Sequence, residues 1–167
     1  MKYIVVISCS LLLLACAFPS SHLEFPEGSF SIYLLRDSTL TAHDAFSRPI
    51  GSLALADSAL LNVHDLNSYV WSTHAFTLTQ NARALYEHFL LAHGTTRGVP
   101  FVVTVGSDRI YVGTFWWGYS SSMPPACAVI NAIAPLPYRI QLANGAIDKR
   151  GDSRVYLSLK LSGVLSE

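Results

Sequence analysis

Charge is scarce and balanced in this sequence. Across 167 residues, 11 Lys and Arg face 11 Asp and Glu, and charged residues make up only 13% of the chain. No basic field exists to attract a polyanion and no acidic tail to attract a basic partner, so a nucleic-acid partner is not expected. Cysteine is scarcer still. Cys9 and Cys16 fall in an N-terminal segment with the marks of an export signal, which leaves Cys127 alone and no intrachain disulfide in the body. Beyond that segment no apolar run approaches the roughly 20 residues that cross a bilayer, and no internal repeat occurs.

The N-terminus is where apolar residues concentrate. Lys2 precedes a run from Tyr3 to Leu14 dominated by Ile, Val and Leu. The run is too short to span a membrane and suits the apolar region of a secretory signal. Its end, Leu13-Leu14-Ala15-Cys16, resembles the lipobox of bacterial lipoproteins. That resemblance implies cleavage before Cys16, acylation of Cys16, and a lipid-anchored protein on the extracytoplasmic side of a bacterial envelope. Leu14 departs from the small or β-branched residue usual at its place. Ala15-Cys16-Ala17 also fits the A-x-A pattern of an ordinary secretory cut, which would release a soluble chain beginning at Phe18. Ala17–Gly28 contains Pro19, Ser20, Ser21 and Pro26, a tether composition. The expected organisation is a signal over 1–15, a tether over 16–29 and one domain over 30–167. A body of about 150 residues can bury about 68–70% of its unfolded surface, so neither metal nor cofactor is needed to hold it together.

Within the body, Phe30–Leu35 is β-rich, Thr39–Gly51 is polar and irregular, and Ser52–Ala56 alternates as a short strand would. Ser68–Trp71 and His74–Thr79 flank Ser72-Thr73 as a hairpin. Thr79 is a good N-cap for a helix from Gln80 to about His93, with Ala82, Leu85, Tyr86, Phe89 and Leu90 on its apolar face and Gly94 at its end. Pro100–Val105 and Arg109–Phe115 form a second hairpin around Gly106-Ser107-Asp108. Ala126–Ile133 and Tyr138–Leu142 are further strands, and Asn144-Gly145 is a turn. The C-terminus fits a strand by alternation and a helix by the stripe Leu157, Leu161, Val164 and Leu165; Asp152 as N-cap and Gly163 beyond the end favour the helix. The fold class expected is α+β, a mainly antiparallel sheet with one or two helices packed on one face.

Several of these segments together are similar to the periplasmic head of the SecD-type protein-export subunit. The residues concerned are Leu60–Leu66, Ala75–Thr79 opening the helix, Gly98–Val105 with the return through Arg109-Ile110-Tyr111, and Ser120–Pro125 before Ala128-Val129-Ile130. The chain also resembles uncharacterised bacterial lipoproteins ending in a motif like Asp148-x-Arg150-x-Asp152. The likeness covers under half of the chain and implies fold and compartment. The translocation subunit's membrane helices have no counterpart here, so its motor function does not transfer.

Four groups of residues invite chemistry. Trp116, Trp117 and Tyr119, followed by Ser120, put three amphipathic rings on one glycine-containing segment. They would dock an envelope protein, a peptide or a glycan, unless the tryptophans pack into the core. Arg150 and Arg154 in the charged run Asp148–Arg154 offer a patch for an acidic group, against a solvated turn in which Asp148 pairs with Arg150 and Asp152 caps the helix. Ser120–Ser122 with six histidines allow an envelope hydrolase, although no Gly-x-Ser-x-Gly elbow is present. His88 and His93 are five apart and do not share a helix face. His22, His43, His64 and His74 are scattered, so no metal site is expected. Cys127 sits in Ala126-Cys127-Ala128-Val129-Ile130, an apolar setting that keeps a thiol inert. These patterns favour a non-enzymatic binding or accessory domain, with a serine hydrolase as the alternative.

Overall fold

A computed structural model describes residues 30–134 and 136–167; the expected signal, Cys16, the tether and His22 lie outside the described residues. The elements run β1 (Phe30–Leu34), α1 (Ala42–Phe46), β2 (Leu61–Asn62), β3 (Leu66–Val70), β4 (Ala75–Leu78), α2 (Gln80–Ala92), β5 (Val99–Val105), β6 (Asp108–Trp116), β7 (Ala128–Asn131), β8 (Tyr138–Leu142), α3 (Ser153–Leu161) and β9 (Leu165–Ser166). The strands form one nine-stranded sheet in the order β2-β1-β5-β6-β7-β8-β4-β3-β9.

The sheet is mixed, which corrects the mainly antiparallel sheet expected from the two hairpins. β6 and β7 run parallel, with Gly113 opposite Ala128 and Trp116 opposite Asn131. β3 and β9 are parallel as well, with Tyr69 opposite Leu165. Strands joined by a tight turn must reverse direction, whereas residues 117–127 are a crossover long enough to carry the chain back to the end where it started. The helices also depart from the single covered face. Phe101 and Val103 of β5 join α2 and α3 in the main core, while Val102 packs with Ala45 of α1 on the other side. Alternate residues of a strand face opposite ways, so β5 is covered on both faces, and that is why 99–105 reads as a continuous apolar run.

Local chemistry accounts for the element ends. Gly106 takes φ +58° in the two-residue turn of the β5–β6 hairpin, a left-handed conformation that a side chain resists. Thr79 caps α2 by accepting from the Ala82 amide, and Asp152 caps α3 by accepting from the Arg154 amide. α2 buries Ala82, Tyr86, Phe89 and Leu90, and Leu85, on the margin of that stripe, is exposed. Tyr86 and Phe89 stand edge-on to Phe115, with ring centroids 5.9 and 5.3 Å away. α1 forms inside the stretch that reads as irregular, held by reciprocal bonds between Thr41 and Asp44, a Thr-x-x-Asp capping box. Residues 52–56 do not make the expected strand; Ile50–Ser52 is a 3-10 turn and only Leu55 bridges to Leu35. α3 buries Val155, Ser158 and Leu159, not Leu157 and Leu161, and after Gly163 at φ +72° the chain adds β9.

Candidate functional site

The sheet has a notch. β7 begins opposite Gly113, so residues 108–112 of β6 have no strand beside them on that side. The chain that would fill the gap, residues 143–150, loops outward instead, tied by the Ala143 amide donating to the Cys127 carbonyl at 3.0 Å. A cavity of about 330 Å³ results, with apolar walls from Phe46, Ile50, Val112, Ala126, Leu142 and Ile147. That volume lies at the lower end of the range of small-molecule sites. Phe46 and Ile147 are 45% and 80% exposed at its mouth.

Tyr111 and Cys127 form deeper parts of the lining. Burial pushes the Cys127 thiol up to about 12, so it is protonated, and it donates to the neighbouring Ala128 carbonyl at 3.3 Å. The thiol is inert, as its apolar neighbours imply. Tyr111 is 5% exposed and its side chain belongs to the main core with Val103, which it faces across the strands, whereas Val112 packs with Val102 on the other face. Burial also holds the ionisation of Tyr111 well above the ordinary tyrosine value, which keeps it a donor.

Three cations line the cavity: Arg48, Lys149 and Arg150. Arg150 is committed. Its Nε and Nη2 donate to the two Asp148 oxygens at 2.9 and 2.7 Å, and Nη1 donates to the Ile140 carbonyl at 2.8 Å. That bidentate clamp holds the Asp148 carboxyl down at about 2. Arg48 and Lys149 form no ion pair with any described residue, so the cavity carries more positive than negative charge. Behind it, Tyr69 and Tyr111 both lie in the field of Arg150, and Tyr69 meets His74.

A second cavity of about 430 Å³ opens at the C-terminal end of α2, between residues 34–41 and 93–100. Several of its polar groups are already occupied: Thr39 donates to Asp37, Thr41 and Asp44 cap each other, and His93 meets the Phe89 carbonyl. The notch, with its mostly apolar walls, is the stronger site.

The residues singled out in the sequence are dispersed. Trp116 and Trp117 are 7% and 3% exposed: Trp116 packs with Ala42 and Val129 beneath α1, and Trp117 belongs to the main core. Only Tyr119 of the three rings is exposed, so they form no common docking surface. Ser120 and Ser122 both donate to the Thr96 carbonyl, at 2.7 and 3.3 Å, and their described hydrogen bonds include no histidine. Arg154 is engaged by Asp152 and Asp108, and so gives no free patch with Arg150. Among the described residues no group of three or more His, Cys, Asp or Glu side chains is placed to hold a metal. No described helix is long and apolar enough to cross a membrane.

Arg48, Val112 and Leu142, which line the notch, escape the sequence reading as site residues. Only the early end of β7 creates the notch. Comparison with protein-family models, curated proteins and solved structures gives no match to this chain.

Proposed function

We propose that this chain is an exported, lipid-anchored protein of the bacterial envelope whose folded domain works by binding a small molecule and not by catalysis. The observation that carries the binding half is the notch beside β6, a cavity of about 330 Å³ with mostly apolar walls and with Arg48 and Lys149, which form no ion pair with a described residue, among its lining. A site of that kind retains a ligand by burying its apolar surface and orients it with one well-placed polar bond. The location half rests on Lys2, the apolar run and Cys16. The anchor would keep the domain at a membrane surface, where apolar small molecules concentrate.

Intact mass on the membrane fraction of expressing bacteria tests the location. The expected species is Cys16–Glu167 plus acyl chains, lost in Cys16→Ala. A soluble species beginning at Phe18 overturns the anchor and leaves the cavity untouched. Filling the cavity with Ala126→Phe tests the other half, because that variant should lose binding while remaining in the membrane fraction.

A further inference from the structure

We infer that the notch beside β6 takes the C-terminal end of an extended peptide, whose backbone pairs with the Val112 amide and whose terminal carboxylate meets Arg48 and Lys149. This rests on the binding reading just given and narrows it to a ligand class.

β6 has a backbone donor to offer at the notch. The Ala132 amide donates to the Trp116 carbonyl at 2.9 Å, so Trp116 turns its backbone groups toward β7. Those groups alternate from side to side along a strand, which turns Thr114 and Val112 the same way. The opposite strand agrees, since Thr114 is paired with Pro100, which has no amide to give. β7 begins only at Ala128, opposite Gly113, and among the described residues no backbone hydrogen bond takes the Val112 amide on that side. Val112 lines the cavity. An unpaired amide on a sheet edge is met best by the carbonyl of another extended chain, which adds to the sheet as a short strand.

The shape of the notch calls for a chain end. A strand laid beside 108–112 of β6 occupies the line that β7 itself takes from Ala128 onward, and Ala126, Cys127 and Ala128 close the cavity there. An occupant in that line runs into β7 and must stop. With a water's share of liquid volume, about 30 Å³, as the unit, 330 Å³ holds on the order of ten non-hydrogen atoms, about two residues.

Charge selects which end. Arg48, Lys149 and Arg150 line the cavity, and Asp148 cancels only one of them. A terminal ammonium would bring a further cation into that field. A terminal carboxylate loses water on entry, and the field of Arg48 and Lys149 offsets that loss. Phe46, Ile50, Leu142 and Ile147 make the wall for the last side chain, so an apolar last residue fits.

The test uses the full chain as bacteria process it, reconstituted in phosphatidylcholine vesicles. Three probes are compared: an N-acetylated tripeptide acid ending in leucine, its C-terminal amide, and isocaproate, which keeps the leucine side chain and carboxylate without the backbone amides. A ligand that binds only the native state raises the thermal midpoint with its concentration over its dissociation constant. The expected result is a dose-dependent rise with the peptide acid and responses about tenfold weaker with the other two. Lys149→Glu should weaken the response to the acid, more so at low salt, and leave that to the amide nearly unchanged. Hydrogen exchange at the Val112 amide should slow when the peptide acid is bound. Isocaproate equal to the peptide acid, or Val112 exchange unchanged by saturating peptide, overturns the peptide while leaving a site for a small acid. An equal rise with the peptide amide overturns the chain-end carboxylate. A wild-type protein that responds to all three probes no more than Ala126→Phe does overturns the binding reading itself.

Discussion

The hydroxyl of Tyr69 lies 3.0 Å from Nδ1 of His74, and the pair is enclosed by the turn that joins β3 to β4. His74 is 9% exposed and takes φ +51°, and its ring stands edge-on to Trp71 with centroids 5.4 Å apart. Burial first, and the nearby Arg150 second, hold its ionisation below the ordinary value of 6.5. Neutral His74 with its proton on Nε2 accepts a hydrogen bond from the Tyr69 hydroxyl through Nδ1; protonation would turn Nδ1 into a donor and put a second cation near Arg150. A histidine whose ionisation is depressed on folding binds its proton more readily when unfolded. Stability is therefore constant above about pH 6.5 and falls as the pH drops below it. Thermal midpoints of wild type between pH 7.5 and 5 should show that decline. His74→Asn, which tolerates the left-handed backbone, should flatten it at a cost of about 1–3 kcal/mol in the neutral protein. A wild-type profile level across this range would refute the argument.

Arg150 governs a lower window. Its clamp holds Asp148 at about 2 against an ordinary 3.8, so the stabilisation is full above pH 3.8 and disappears as the pH falls from there toward 2. The Asp148 side chain is 47% exposed, and screening limits the ion pair to about 1 kcal/mol. The bond to the Ile140 carbonyl is more sheltered and adds a similar amount. Arg150→Lys should cost about 1–3 kcal/mol in chemical denaturation, because one ammonium cannot serve both carboxylate oxygens and the carbonyl. The acid step should shrink with it.

Gly113 makes the register between β5 and β6 testable. It faces Phe101 across the strands, and a methyl group there would enter the Phe101 ring while approaching the Ala128 carbonyl at 3.0 Å. Gly113→Ala should destabilise by about 1–3 kcal/mol through overpacking. Gly51→Ala is the control, since a methyl there meets nothing within 4 Å and should change stability by less than about 0.5 kcal/mol. Equal effects in denaturant melts would mean that the strands pair in another register.

These residues mark where sequence and structure part. The β5–β6 hairpin, α2 with its Thr79 cap and the Asp152 cap are legible because each is fixed by neighbours in the chain. β9 is two residues long and exists only because β3 lies beside it. The parallel β6–β7 pair depends on the path of 117–127 across the fold, and no alternation or turn dipeptide encodes that path. α1 was within reach, since Thr41 and Asp44 spell a capping box, but five helical residues are too few for an apolar stripe to show. The notch is the least legible feature of all. It is made by a strand that starts late and a loop that turns away, and neither shows in a linear pattern.

The aromatic segment yields the sharpest contrast between packing and recognition. Trp117 and Tyr119 are two residues apart, one 3% and the other 59% exposed. The Trp117 indole lies in the main core, so Trp117→Ala removes a large buried ring and should cost about 3–5 kcal/mol. Tyr119→Ala removes a ring mostly in solvent and should cost less than about 0.5 kcal/mol. Denaturant melts of the two variants read the difference, and equal costs would mean that the segment does not bury one ring and expose the other as described.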